Sequence, residues 1–292
     1  MCRHLAYLGP PATLRSVLID PPHGLYTQAW APRFQRQGAI NADGFGAGWY
    51  LADTAAPVRY RQAFPIWTDE SFADIATVTR AGAMLAAIRN ATPRTSHGPA
   101  AAAPFKHGRW LFSHNGAVDG WPESTEALAA TLPTMSLLDL EARVDSALMW
   151  ALVQHRLRRG LAPAEALADT AEALRAAGVT GRFNFLLTDG HAIAATVAGH
   201  TMYYRRERGS VTIASEPGDD QADWVEIPRG AAVTATTEQV LVTRLPALDS
   251  IITRSATAHE TPELPGGPNT PRTPEFSGTP DDSNISDGRI AI

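Results

Sequence analysis

The chain opens with Met1-Cys2-Arg3-His4-Leu5-Ala6-Tyr7-Leu8-Gly9-Pro10, and this stretch decides the fold. Cys2 is the only cysteine among the 292 residues and directly follows the first methionine. If that methionine is removed, the mature chain begins with a thiol and a free α-amine on one residue. Such an amine has a pKa of about 7.7–8.0, so a useful fraction is neutral near pH 7 and can take the thiol proton. The opening residues therefore predict an N-terminal nucleophile.

A structural role for Cys2 is the alternative interpretation. A single cysteine is most often a small buried hydrophobic residue, and position 2 of a chain is often frayed. The apolar run Leu5-Ala6-Tyr7-Leu8, however, is typical of a short buried strand. These residues favour an ordered N-terminus and leave both interpretations of the thiol open.

Composition limits the classes of function. A hydrophobic content of 44% is enough for one large domain or two small ones. The net charge of −5 offers no basic surface for nucleic acid. No apolar run approaches the roughly 18–20 residues that span a membrane. One cysteine excludes an internal disulfide and a cysteine-based zinc cluster, and with no secretory signal it indicates the cytoplasm.

The composition changes near residue 255. The stretch 255–292 is rich in Pro, Thr, Ser, Gly and Asp and has few large apolar residues. Such a segment cannot bury enough surface to offset its loss of conformational entropy on folding. We therefore predict a folded domain over residues 2–250 and a disordered tail over 255–292. A tail that binds a partner is the alternative, without support in the sequence.

The order of the predicted elements indicates the fold class. Apolar strands come first, two helices begin at Asp145 and Pro163, and paired strands with Gly-containing turns follow. Two sheets with helices layered against them fit this order. Gly44, Gly46 and Gly48 alternate, so in a strand they share one face, where another backbone or a ligand can approach closely.

Three polar positions have two interpretations each. Asn115-Gly116 follows a predicted strand over residues 109–112; this dipeptide most often forms a turn, but an Asn amide and a Gly N–H can also bind one oxyanion. Arg89 ends a strand, either as a solvated charge or as part of a site at the sheet edge. Asp145 caps a helix or binds an ammonium group.

In combination, Cys2, the segment Arg89-Asn90-Ala91-Thr92, the segment His114-Asn115-Gly116 and Asp145 resemble the class II glutamine amidotransferases, which are N-terminal-nucleophile hydrolases. The resemblance covers roughly residues 2–245. It implies an α+β fold, a four-layer αββα sandwich with the nucleophile at the start of a central strand. The stretches MCRHLAYLGPP, PPHGL, NADGFGAGWY and RWLFSHNGAV are most similar to the amidohydrolases of ergothioneine biosynthesis, which cleave the γ-glutamyl amide of γ-glutamyl-hercynylcysteine sulfoxide to glutamate and hercynylcysteine sulfoxide.

The resemblance implies three catalytic residues. Cys2 attacks the γ-carbonyl carbon, and its own α-amine acts as base and then as acid toward the leaving amine. The Asn115 side chain and the Gly116 N–H stabilise the oxyanion. A glutamyl thioester forms and is hydrolysed, with no cofactor and no metal.

The resemblance also implies four substrate-binding residues. Arg89 and Thr92 hold the glutamyl α-carboxylate, for which a planar guanidinium is well suited. Asp145 takes the α-ammonium group. His114 is counted with them, although a structural role is the alternative for this histidine.

Two departures from the family pattern bear on the substrate. Pro93 stands where class II amidotransferases commonly have a His, and Ala103 precedes Pro104-Phe105 where many have another His. Together with the expected lack of a synthase domain in this chain, these departures favour a free-standing hydrolase of a larger small-molecule γ-glutamyl amide. The alternatives are a glutaminase subunit that supplies ammonia to a separate synthase, a hydrolase of another γ-glutamyl amide, and an inactive scaffold. The oligomeric state stays open.

Overall fold

The computed structural model describes residues 2–35, 40–52, 54, 56–92, 94–246 and 248. The predicted tail at 255–292 lies outside these residues, so the domain boundary and the disorder stay predictions. The strands are β1 (Arg3–Thr13), β2 (Phe45–Trp49), β3 (Val58–Gln62), β4 (Arg80–Ile88), β5 (Phe105–His107), β6 (Trp110–Val118), β7 (Gly181–Thr188), β8 (Ile193–Val197), β9 (Tyr203–Glu207), β10 (Ser210–Ala214), β11 (Val225–Glu226), β12 (Ala231–Ala235) and β13 (Val240–Arg244). The helices are α1 (Leu14–Leu18), α2 (Glu70–Val78), α3 (Glu126–Ala129), α4 (Thr134–Leu138), α5 (Asp145–Arg158) and α6 (Pro163–Ala176). None of these helices combines the length and apolar character needed to cross a bilayer.

The strands form two antiparallel sheets that stack face to face. The first sheet has the order β11-β9-β10-β1-β4-β2-β3, and the second has the order β13-β12-β8-β7-β6-β5. Helices α1 and α2 cover the outer face of the first sheet, and α5 and α6 cover the outer face of the second. A third apolar cluster fills the space between the sheets. This four-layer arrangement confirms the predicted αββα sandwich.

Strand β1 lies inside the first sheet, between β10 and β4. Its side chains alternate between the two faces, as strand geometry requires. Leu5 packs with the α1 and α2 layer, whereas Ala6 and Leu8 pack against the second sheet. By the same alternation, Arg3 lies on the helix side, and Cys2 and His4 face the second sheet.

The alternating glycines allow the two sheets to approach closely. Gly46 and Gly48 lie in β2 on the face toward the second sheet. A Cβ on Gly46 would lie 2.5 Å from the carbonyl oxygen of Ala103, and one on Gly48 would lie 2.7 Å from Leu111 Cδ1. Close packing between strands therefore accounts for these glycines.

Of the two interpretations of Asn115-Gly116, the turn is wrong. Both residues lie inside β6, where Asn115 pairs with Asn184 and Gly116 with Phe183 of β7. The turn preference of Asn-Gly is a local tendency, and eight consecutive pairs with β7 override it. The two residues therefore act from a fixed strand rather than from a turn.

Replacing Gly46 with Ala tests the close packing. The new methyl group must displace backbone, so we expect the free energy of unfolding to fall by about 1–3 kcal/mol in urea denaturation. Gly218→Ala is the matched control, because its Cβ would meet neighbours only at 3.7 and 3.8 Å. Equal stability of the two variants would contradict this account of the sheet interface.

Candidate active site

Cys2 lies immediately before β1, at the end of the first sheet. Its Sγ atom is 3.9 Å from the carbonyl oxygen of Asn90, which follows β4. The register of β1 with β4 pairs Arg3 with Ile88, so Cys2 lies beside the point where β4 runs into Arg89. The thiol is half-buried. Sequence and register thus bring two of the predicted site segments together.

His4 connects the two sheets directly behind the nucleophile. Its fully buried ring places Nδ1 3.1 Å from Ser113 Oγ on β6. Burial, with smaller effects of His114 and the charge of Arg3, lowers the pKa of His4 to about 3. The ring is therefore neutral at physiological pH, and its hydrogen bond with Ser113 joins two uncharged groups.

Asn115 is tied to the same segment through Ser215. Its Nδ2 donates to Ser215 Oγ at 3.1 Å, and the His4 backbone N–H donates to that oxygen at 3.0 Å. Nδ2 carries two hydrogens, and the described residues accept only one of them. Asn115 therefore keeps one N–H donor for a ligand. The Ser215 hydroxyl ties this amide to the backbone of His4, which is two residues after Cys2.

The Gly116 N–H projects from a part of the β6 edge that pairs with no strand among the described residues. Val118 N–H donates to Asp145 Oδ2 at 3.0 Å on the edge away from β7, and amides two residues apart in a strand point to the same edge. Strand β5 pairs only with residues 110–112, so it does not cover Gly116. Gly116 N–H and Asn115 Nδ2 are thus two donors on adjacent residues, the arrangement that an oxyanion hole needs.

His114 lies on the opposite, helix-facing side of β6. Its Nε2 is 2.8 Å from the Arg182 carbonyl oxygen and its Nδ1 is 3.1 Å from Ser146 Oγ. Burial lowers the pKa of His114, so the neutral ring donates from Nε2 and accepts at Nδ1. A Cβ on Gly116 would collide with both Nε2 and the Arg182 carbonyl. His114 holds β6 in place, and its predicted contact with substrate stays a prediction.

Arg89 is a buried cation held only by neutral oxygens. Its Nη2 donates to Thr95 Oγ1 at 3.1 Å and to the Ser96 carbonyl at 3.0 Å, and Nη1 donates to the Asp43 carbonyl at 3.5 Å. No carboxylate pairs with it in the described part of the chain. Thr92 contributes its carbonyl, which accepts from Thr95 Oγ1 at 2.6 Å. Pro93, one of the two departures from the family pattern, lies outside the described residues.

Asp145 provides a buried carboxylate at the same edge of β6. It is the first residue of α5, and its Oδ1 accepts the Ser146 N–H at 2.8 Å. The loop after Arg89 reaches this point, because Ser96 N–H donates to the Arg143 carbonyl at 3.1 Å. Arg89 and Asp145 have no ion-pair partner in the described residues, and their opposite charges match the two charges of an α-amino acid.

The sequence interpretation missed the buried ion pair behind Cys2. Arg3 Nε is 2.9 Å from Glu216 Oε1, and both side chains are essentially inaccessible. Burial lowers the pKa of Arg3, and Glu216 acts in the opposite direction. A charged residue at a buried position of a predicted strand signals such a pair, although nothing local identifies the partner. Ser215, the neighbour of Glu216, was missed for the same reason.

The groups at this site favour acyl transfer. A thiol lies just before β1 of the first sheet, and two amide donors lie on β6 of the second sheet. The opposite charges of Arg89 and Asp145 lie in segments that the Ser96–Arg143 hydrogen bond connects. Within the described ranges, no three His, Cys, Asp or Glu side chains are grouped as metal ligands would be. The chemistry available here is that of a nucleophile and a preorganised oxyanion site.

Comparisons with known proteins agree with this geometry. The family model described as "Glutamine amidotransferases class-II" matches residues 27–209. The gamma-glutamyl-hercynylcysteine sulfoxide hydrolase of Mycolicibacterium smegmatis is 39% identical over 245 residues, covering 84% of this chain and 100% of that protein. The protein of the same name from Mycobacterium tuberculosis is 38% identical, covering 84% of this chain and 97% of its own.

A solved structure shares the fold. It is a glutamine aminotransferase class-II domain protein from Silicibacter pomeroyi, with a TM-score of 0.57 and 24% sequence identity. The match covers 84% of this chain and 99% of that chain. The sandwich is therefore shared along nearly the whole length of that protein.

The buried histidines predict a loss of stability in acid. The pKa is lowered from 6.5 to about 3 for His4 and to about 2 for His200, chiefly by burial. The unfolded chain binds more protons below pH 6.5, so this contribution is complete above pH 6.5 and is lost as the pH falls toward these values. In urea titrations from pH 7 to pH 4, we expect a slope of about 1.4 kcal/mol per pH unit for each such histidine.

His4→Gln isolates the contribution of one ring. For this variant, the slope of unfolding free energy against pH should be smaller than that of the unmodified protein by about 1.4 kcal/mol per pH unit, the contribution of one proton. The exposed His191→Gln is the control and should leave the slope unchanged. If the slopes of all three proteins coincide, His4 is not held neutral by the fold.

Proposed function

The chain belongs to the class II glutamine amidotransferases, and from this premise we propose that it cleaves the γ-glutamyl amide bond of γ-glutamyl-hercynylcysteine sulfoxide, releasing glutamate and hercynylcysteine sulfoxide. Similarity to relatives of that name over their whole length or nearly so supports the substrate. The observation that carries the chemistry is the position of Cys2, whose thiol lies beside Asn90. The Asn115 amide is held close to Cys2, because it shares the Ser215 hydroxyl with the backbone of His4. The cytoplasmic location stays a prediction.

The first chemical step forms a thioester. Once the methionine is removed, the α-amine of Cys2 takes the thiol proton, and Sγ attacks the γ-carbonyl carbon. The carbonyl oxygen becomes an oxyanion, which accepts hydrogen bonds from Asn115 Nδ2 and Gly116 N–H. The carbon–nitrogen bond then breaks as the ammonium of Cys2 returns its proton to the leaving amine.

The second step releases glutamate. The α-amine, neutral again, takes a proton from water, and the water oxygen attacks the thioester carbonyl. The same two donors stabilise the second oxyanion, and the carbon–sulfur bond breaks as the proton returns to Sγ. Both steps use one nucleophile, one base and one oxyanion site.

The glutamyl group is bound by its two charges. Arg89 pairs with the α-carboxylate and Asp145 with the α-ammonium group, each replacing the solvent that the buried charge lacks. Their position at the free edge of β6 is supported by the contacts of Asp145 with Val118 and of Ser96 with Arg143. The γ-carbonyl then lies between these charges and Cys2, next to Gly116.

Substrate preference tests this function. We expect the purified, Met-free protein to release glutamate from γ-glutamyl-hercynylcysteine sulfoxide and to turn over free L-glutamine poorly. Cys2→Ala should abolish glutamate release. A protein that keeps its first methionine should also release no glutamate, because the Cys2 nitrogen is then part of a peptide bond. Mass spectrometry shows which N-terminus is present. Equal or better cleavage of glutamine would instead indicate an ammonia-supplying glutaminase subunit, and no cleavage would overturn the assignment.

Asn115→Ala tests the oxyanion site. Removing one such donor typically lowers kcat by 10²- to 10³-fold, and we expect a loss of about that size. Ser215→Ala is the matched control: it keeps the Asn115 amide but removes its partner, so its effect on kcat should be smaller. Circular dichroism spectra of both variants should match that of the unmodified protein. An Asn115→Ala enzyme with unchanged kcat would remove this residue from the mechanism.

A further inference from the structure

Arg182 faces the space between the sheets at the nucleophile end. It lies on β7, where it pairs with Ala117 of β6, and Asn184 pairs with Asn115. Phe183 belongs to the apolar cluster on the helix side of the second sheet, so its neighbour Arg182 points to the opposite face. This is the face that carries Asn115 and meets β1.

The charge of Arg182 has no partner in the described residues. No hydrogen bond or ion pair of its side chain occurs there, and its Nε atom is buried without an acceptor. The base of the side chain is fixed, because Cβ and Cγ pack so tightly on Gly199 that a Cβ there would lie 2.7 Å from each. A half-buried guanidinium held in place without an acceptor is costly unless a ligand supplies one.

His200 adds a second unpartnered polar group. The residue is 7% exposed, and its Nε2 is buried without a hydrogen-bond partner among the described residues. His200 directly follows Gly199, on which the Arg182 side chain packs, and the charge of Arg182 is one of the causes that lower the pKa of His200 after burial. Two neighbouring unsatisfied polar side chains indicate the position of a polar ligand.

Strand β6 separates this group from the glutamyl site. Asp145 binds the edge of β6 that faces away from β7, whereas Arg182 belongs to β7 on the other edge. If the glutamyl charges occupy the Asp145 side, the other half of the substrate extends toward Arg182. The scissile nitrogen joins the two halves near Cys2.

We propose that Arg182 binds the carboxylate of the leaving group, the one attached to the carbon next to the scissile nitrogen. This inference rests on the proposed function and specifies the substrate class of that site. Every γ-glutamyl amide of an α-amino acid carries that carboxylate, whereas glutamine releases ammonia and carries none. Arg182 thus selects γ-glutamyl amino acids over glutamine, and His200 lies beside it as a further polar contact.

A pair of substrates that differ only in this carboxylate tests the inference. γ-Glutamyl-S-methylcysteine carries it, and γ-glutamyl-S-methylcysteamine does not. For the unmodified enzyme we expect kcat/KM to be higher for the first compound. Arg182→Gln should lower kcat/KM for it by about 10- to 100-fold, mainly through KM, as expected for the loss of a charge-assisted hydrogen bond. For the second compound the variant should match the unmodified enzyme, which also shows that it is folded.

Two further variants sharpen the result. Arg182→Lys should recover part of the lost kcat/KM, because it restores the charge without the planar fork. Arg109→Gln is the matched control, because Arg109 is largely exposed and lies just before the first residue of β6. This variant should leave kcat/KM for both substrates unchanged. In a Cys2→Ala background, calorimetry should show Arg182→Gln weakening binding of the first compound only.

The outcomes separate the two proposals. If the enzyme cleaves both compounds and Arg182→Gln lowers kcat/KM for both equally, or for neither, the carboxylate role is overturned and the hydrolase assignment stands. If the enzyme cleaves neither these compounds nor γ-glutamyl-hercynylcysteine sulfoxide, the proposed function falls, and this inference falls with it.

Discussion

The hydrogen bond between His4 and Ser113 joins the two sheets directly behind the nucleophile, and the geometry of the site depends on it. It is buried in an apolar interface, where a neutral hydrogen bond is strong and a charged ring would be costly. The backbone of His4 and the side chain of Asn115 share Ser215, so a strand of each sheet is fixed to the same hydroxyl. The thiol and the oxyanion donors come from different sheets, and these contacts set the distance between them.

The opposite face of β1 is fixed by a second buried interaction. Arg3 pairs with Glu216, whose other carboxylate oxygen accepts the backbone N–H of Arg33 at 2.7 Å. Such a pair contributes little net stability after desolvation, but it disfavours other registers, which would leave a charge buried and alone. Nucleophile position is therefore controlled from both faces of one strand: by neutral hydrogen bonds toward the second sheet and by charge toward the helices.

Much of the fold could be predicted from the sequence, because strands, helices and turns leave local patterns. The site residues follow from the resemblance to the class II amidotransferases, and their roles stay predictions. The turn interpretation of Asn115-Gly116 failed, because pairing with a distant strand overrides the local turn preference. Ser215, Glu216 and Arg182 could not be found, because their roles depend on which strand faces which. Alternation along β7 predicts that Arg182 and Phe183 point to opposite faces of the second sheet. Only the assembled sandwich shows which of these faces lies toward Cys2.

The shortness of β5 has a consequence for how such enzymes lose activity. Three residues of β5 pair with β6, and this pairing stops before Gly116, whose amide pairs with no strand in the described part of the chain. A longer β5 would accept a hydrogen bond from the Gly116 amide, which would then no longer be free to donate to the oxyanion. A related chain could therefore retain the thiol, the arginine, the asparagine and the aspartate, and still be inert because of a small insertion in a neighbouring loop. In this chain, the short length of β5 is therefore a requirement of the proposed oxyanion site in addition to the motif residues.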